Sequence, residues 1–254
     1  MPPRSVTLTA LPGLPLIKTG DNLAAFIATA LRRAEITPVD QDIIVVAQKI
    51  VSKAEDRIVD LCEVVPSACA TALASRMRKD PRLVEVVLSE STEIVRQRKD
   101  VLIVAHRLGF VMANAGVDQS NVADGGERVL LLPQNPDASA AALKAQLDLE
   151  FGVDLGIVIN DSFGRPWRNG VVGVALGAAG VPALRSLVGA PDLFGRKMRV
   201  TEVAVADELA AAASLLMGQA DEGLPVVHMR GFAWDAAPLP AAALIRAKEL
   251  DLFR

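Results

Sequence analysis

The sequence predicts a mixed α/β (α+β) protein, and three observations carry that expectation. Short apolar runs such as "DIIVVAQ" (42–48) and "LGIVIND" (155–161) have the length and β-branched content of buried strands. Stretches such as "DNLAAFIATALRRAE" (21–35) space their apolar residues at helical intervals. The two kinds of segment are mixed along the whole chain, with no internal repeat and no long linker. A length of 254 residues with 51% hydrophobic content suffices for a substantial core, as one large domain or two modest ones.

The first element is a strand, "SVTLTAL" (5–11). The helix of 21–35 turns Leu23, Phe26, Ile27, Ala30 and Leu31 to one side, with Asp21 or Asn22 as N-cap. "DIIVVAQ" is a buried strand, and "KIVSKAEDRIVDL" (49–61) alternates loosely enough to continue the sheet. "PSACATALASRMRKD" (66–80) is a helix capped by Ser67, its last-turn cations complementing the dipole. "VLIVAH" (101–106) is a strand with a structural His106 at its end, and "FVMANAGVD" (110–118) follows it into a loop. "RVLLLP" (128–133) is a strand stopped by Pro133.

"DASAAALKAQLDLEFG" (137–152) is a helix that starts near Asp137 or Ser139 and ends at Gly152. "LGIVIND" is a strand that ends at a carboxylate, followed by a loop over 162–170. "VVGVALGAAGVPAL" (171–184) carries no charge but is too short for a membrane span, which needs about 20 residues. It reads as a buried strand and turn with close backbone approach at its glycines. "MRVTEVAVAD" (198–207) is a strand, "DELAAAASLLMGQ" (207–219) a helix, "PVVHMRG" (225–231) a strand and "LPAAALIRAKELDLF" (239–253) a closing helix.

Several function classes drop out. Net charge is −3, so no global basic field argues for nucleic acid. The chain opens without an apolar leader, so a cytoplasmic protein with no membrane partner is expected. Cys62 and Cys69 lack metal spacing and read as semi-buried thiols. The two histidines have no ligand-like spacing, which argues against zinc and a histidine triad. The phosphate loop, the dinucleotide fingerprint and the serine-hydrolase elbow are all missing.

Polar clusters stand at the ends of apolar runs: "AQKIVSK" (47–53), "NAGVDQSN" (114–121), "NDSFGRPWRNG" (160–170) and "MGQADEG" (217–223). Strand ends and the loops after them are where sheet proteins build sites. Asp118, Asp161, Ser162 and Gln219 offer hard oxygen donors suited to Mg²⁺ or Mn²⁺. Lys49, Lys53, Arg165 and Arg168 offer positive charge. A divalent metal with such cations is what a polyphosphate needs. Each group also has an ordinary reading: the aspartates as turn caps, the lysines as solvated charges. Residue chemistry alone leaves both open.

In order, "LPLI" (14–17), "AQKIVSKAE" (47–55), "NAGVDQSNV" (114–122), "VINDSFGRPWRNG" (158–170) running into "VVGVALGAAGV", and "LLMGQADEG" (215–223) resemble the coenzyme F420-0:L-glutamate ligase family. The resemblance spans nearly the whole chain. It implies a two-part fold with mixed sheets, seen as an intertwined homodimer, in a single ligase unit over 1–254 without a C-terminal reductase-like fusion domain. It implies GTP-dependent addition of L-glutamate to the deazaflavin F420-0 through an acyl phosphate, then further γ-linked glutamates. The cofactors implied are two Mg²⁺ or Mn²⁺ ions, with K⁺ as a further candidate.

Carried over by motif, Asp118 and Asp161 would ligate metal and serve catalysis. Ser162, where the family has threonine, would ligate through its hydroxyl, and Gln219 would hold the second metal. Leu14, Pro15, Leu16 and Ile17 would line the nucleotide pocket. Gln48, Lys49, Lys53 and Asn121 would contact GTP, as would Met217, Gly218, Gln219, Ala220, Asp221, Glu222, Gly223 and Leu224. Gln48 departs from the family's small hydroxyl residue. Arg165 and Arg168 extend the pattern as a clamp for the γ-phosphate or a substrate carboxylate. The competing readings are an amide ligase of the same scaffold on another acid or amine, a non-catalytic nucleotide- or deazaflavin-binding protein, and a metal-dependent phosphohydrolase.

Overall fold

The β-branched runs pair with one another to build the centre of the molecule. The computed structural model describes residues 4–119 and 127–252. Its elements in order are β1 (Thr7–Ala10), α1 (Leu23–Arg33), β2 (Ile43–Ala47), α2 (Gln48–Ala54), β3 (Ile58–Asp60), α3 (Ala68–Met77), α4 (Pro81–Ser89), β4 (Ser91–Arg98), β5 (Val101–His106), β6 (Val111–Ala113) and β7 (Arg128–Leu130). They continue with α5 (Pro136–Phe151), β8 (Gly156–Arg165), β9 (Arg168–Ala179), β10 (Arg185–Ser186), β11 (Glu202–Val203), α6 (Val205–Met217) and β12 (Val226–Arg230).

The main sheet has the order β1-β12-β2-β8-β9. Only β2 and β8 run parallel, and the other neighbours are antiparallel. Both faces are covered, which is why β2 and the start of β8 read as continuous apolar runs. Ile44, Val46, Ile157 and Ile159 pack with Leu31 of α1 and Leu143 and Leu147 of α5. Ile43, Val45 and Val158 pack on the other side with Ala206, Ala210 and Ala213 of α6. The mixed α/β class expected from the sequence is the one found.

A second part is built from the described residues of 58–119 and 127–132. Sheet β4-β5-β6 packs under α3 and α4 through Leu73, Met77, Val84, Val87, Leu102 and Val104. The small pair β3-β7 packs beside it through Leu61, Val86 and Val129. Phe110, Met112 and Leu132 meet Leu176 of β9, with Phe163 of β8 alongside, and so join the two parts.

Several expectations need correction. Residues 49–54 do not continue the sheet but form α2, in which the Ser52 hydroxyl donates to Gln48 Oε1 at 2.9 Å one turn back. Residues 162–170 are not a loop, because β8 and β9 run on as a hairpin that pairs Arg165 with Arg168. Residues 198–207 hold only the two-residue β11, and Asp207 already lies in α6. In place of the closing helix there are two 3-10 turns, Ala241–Leu244 and Lys248–Leu250, and the Asp137 carboxylate accepts from the Ala241 and Ala242 N–H groups at the start of the first. Helix α5 starts beside Asp137 and ends before Gly152 as expected, with Asn135 as its cap. Cys62 and Cys69 are exposed rather than semi-buried. Helix α4 and strand β4 went unanticipated, although Asp80 and Pro81 give α4 an ordinary capped start.

Asn22 and Ser67 cap α1 and α3 as expected. The close approach at the glycines is also present: a Cβ on Gly173 would overlap Ser214 and the Ala210 carbonyl, and one on Gly177 the Pro136 carbonyl. Both histidines are buried in ionic surroundings. His106 Nε2 lies 3.3 Å from Glu90, and His228 Nε2 lies 2.8 Å from Asp42. No helix among the described residues is long and apolar enough to cross a membrane.

Candidate functional site

A cleft of about 290 Å³ opens at the carboxyl end of β2, where its parallel partner β8 runs on past it. Strand β2 ends at Ala47, opposite Asn160, and α2 begins at once with Gln48 and Lys49. Strand β8 continues, so Asp161 and Ser162 extend past the end of β2 on a strand held by β9. On β9 an extra residue, Leu176, falls between Gly177 (opposite Ile159) and Ala175 (opposite Asn160). Such a bulge bends and twists a hairpin where a site must be aimed.

Alternation along β8 separates the polar side chains. Asn160 donates through Nδ2 to the Ser214 hydroxyl at 3.0 Å and so ties β8 to the end of α6. The Ser162 hydroxyl donates to Gln219 Oε1 at 2.7 Å, just beyond that helix. Asp161 points to the other side, toward Asp118 and Lys49. Burial pushes its carboxyl up to about 6, the Ser162 backbone N–H opposes, Asp118 adds to the rise and Lys49 subtracts.

Asp118 comes from the second part of the molecule. Its backbone N–H and C=O both bond Leu130, at 3.0 and 2.8 Å. Just before it, Asn114 and Ala115 both take left-handed backbone angles, a strained pair for residues with a Cβ. Lys79 holds the Asn114 side chain at 2.8 Å. Asp118 Oδ2 accepts from Lys49 Nζ at 2.7 Å. Burial and the neighbouring Lys49 ammonium push the Lys53 amine below its usual value, against the pull of Asp118.

The far wall is the loop after α6. Gly218 ends the helix at φ 72°, and a Cβ there would overlap the Glu222 carboxylate. That carboxylate accepts from the Ala220 N–H at 2.8 Å, and such backbone bonds hold it below its usual value.

The cleft brings together Leu14, Pro15, Leu16, Ile17, Gln48, Lys49, Lys53, Asp161, Ser162, Met217, Gly218, Gln219, Ala220, Glu222, Gly223 and Leu224. Asp118 touches its edge through Lys49, and Asp221 does not line it. Arg165 and Arg168 stand at the hairpin tip outside the cleft. Asn121 lies outside the described residues. Ala47, Ile50, Asn160, Ser214 and Pro225 line the cleft without having been singled out. Asn160 had a signal, a polar amide inside an apolar run.

The donors fall into two sets of hard oxygens suited to divalent cations: the Asp118 and Asp161 carboxylates on one side of β8, one of them raised by burial and by a like charge that a cation would relieve, and the Ser162 hydroxyl with the Gln219 amide oxygen on the other. Among the described residues no three Asp, Glu, His or Cys side chains cluster as a metal site. Metals here would therefore lean on ligand oxygens as well.

Comparison with known sequences follows the same residues. The model of the F420-0:gamma-glutamyl ligase family matches residues 13–231. This chain belongs to that family. The coenzyme F420:L-glutamate ligase of Methanothermobacter thermautotrophicus is 47% identical over 98% of this chain and 99% of its own. The enzymes of that name from Methanopyrus kandleri and Methanocaldococcus jannaschii are 46% and 43% identical, over 94% and 95% of this chain and 93% and 94% of their own. The matched stretch of this gamma-glutamyl ligase family member includes all the cleft-lining segments, from Leu14 to Pro225.

Proposed function

We propose that this protein joins L-glutamate to coenzyme F420-0 in coenzyme F420 biosynthesis, driven by GTP and a divalent metal. What supports the reading is convergence: segments from Leu14 to Pro225, which carry the family pattern, meet around one cleft. In this reading GTP phosphorylates a carboxylate of the deazaflavin side chain. The α-amine of glutamate attacks the acyl carbon, phosphate leaves, and an amide forms while the amine loses a proton. Asp118 and Asp161 would hold one metal, and Ser162 and Gln219 would lie toward a second; both ions would neutralise phosphate charge. Lys49 and Lys53 would meet the triphosphate, Leu14–Ile17 would cover the base, and the glycine-bent loop 217–224 would offer backbone N–H groups. Ser214 and Asn160 orient that loop. No covalent enzyme intermediate is required.

Mass spectrometry of a reaction holding the protein, F420-0, L-glutamate, GTP and Mn²⁺ tests this. A GTP-dependent gain of glutamyl units is expected. GTP consumed without an amide would point to a hydrolase or another acceptor, and no reaction at all to a binding protein.

A further inference from the structure

We propose that Lys49 is a built-in counter-ion that holds Asp118 in the metal-free chain and leaves it when a divalent cation binds, so that metal and nucleoside triphosphate bind as a coupled pair. This rests on the reading of Asp118 as a metal ligand.

The ion pair is short, 2.7 Å, and both side chains are largely screened from water, at 33% and 26% exposure. A pair so placed is held more firmly than one in open solvent. An ammonium at that distance covers an oxygen that a divalent ion would approach to about 2.1 Å. A divalent ion on either Asp118 oxygen would stand within a few ångströms of that ammonium, where like charges repel.

Backbone constraints decide which partner moves. Asp118 is pinned by two main-chain bonds to Leu130. Lys49 sits in the first turn of α2, directly after β2, but its charge rides on a flexible four-carbon stem. The swing therefore belongs to the lysine side chain.

Charge sets the direction of the swing. Lys49 and Lys53 balance Asp118 and Asp161 around the cleft edge. A divalent cation added alone would face two nearby ammonium groups. A triphosphate supplies an anion to which the displaced lysine can turn, in the cleft that Lys49 and Lys53 both line. Metal alone therefore binds weakly and metal with triphosphate strongly. By linkage, each must tighten the other by the same factor.

The test is Mn²⁺ binding to the full chain, read from the free-ion electron paramagnetic resonance signal, with and without a non-hydrolysable GTP analogue and against the same nucleotide without protein, which itself binds Mn²⁺. Lys49→Met should bind Mn²⁺ alone about tenfold more tightly than the wild type and lose most of the nucleotide–metal coupling. Lys49→Gln, which keeps a polar side chain, should do the same. Lys49→Arg keeps the charge and should behave as the wild type. Neutral variants that bind Mn²⁺ no tighter than the wild type, while the wild type still binds it with nucleotide, overturn the counter-ion role alone. Absence of Mn²⁺ binding by every form, with or without nucleotide, overturns the metal-site reading itself.

Discussion

Asp161 carries a charge where the fold disfavours one. Burial and Asp118 raise its carboxyl from 3.8 to about 6 against the pull of Lys49. A raised acid pKa means the folded state binds more protons than the unfolded state between those values, so this group's contribution weakens as pH rises through 6. Asp161→Asn should therefore leave the metal-free protein as stable or more stable at pH 7, by thermal melting. Turnover should fall by about two orders of magnitude or more as a metal ligand is lost. Near-normal turnover of the folded variant would remove Asp161 from the site.

Glu90 is the opposite case. Burial would raise its carboxyl, but His106, Arg107 and Arg57 overcome that and lower it to about 2. Its contribution is complete above pH 4.5 and is lost as pH falls toward 2. Glu90→Gln should cost about 3 kcal/mol at neutral pH and much less near pH 2, measured by denaturant titration. An equal loss at both values would mean that packing, not charge, sets the role of Glu90.

At the scale of elements, α6 and the β8–β9 hairpin are fitted through a missing side chain. Gly173 leaves no room for a Cβ beside Ser214 and the Ala210 carbonyl. Because backbone blocks the space, Gly173→Ala should cost about 2 to 3 kcal/mol. Ser214 also receives the Asn160 amide, so the same change should loosen the loop from Met217 and raise the KM for GTP more than that for glutamate. Equal effects on both would mean that the strain stays in the hairpin. Elements were legible where one period dominated, as in α1, β2 and the start of β8. They were misread where local chemistry competed. In 49–54 the Lys49 and Lys53 spacing is helical, yet Ile50 and Val51 suggested a strand. In 239–253 the apolar spacing is helical, yet the chain makes only two short 3-10 turns, the first tied to Asp137 from over a hundred residues away.

At the scale of the molecule, a homodimer is expected from the family resemblance, and light scattering on the purified chain should give twice the monomer mass. A monomer at micromolar concentration would remove the dimer from the reading. The sequence by itself determined the mixed α/β class and the placing of oxygen donors and cations at the ends of apolar runs, because composition and local period are properties of the chain. Only the tertiary structure decided that Asp161 projects from a strand outlasting its partner rather than from a strand end. It also decided that Asp118 arrives from the second part to meet Lys49, and that Arg165 and Arg168 stand at the hairpin tip outside the cleft. Those outcomes depend on strand order, register and backbone bonds between residues far apart, and no local pattern encodes them.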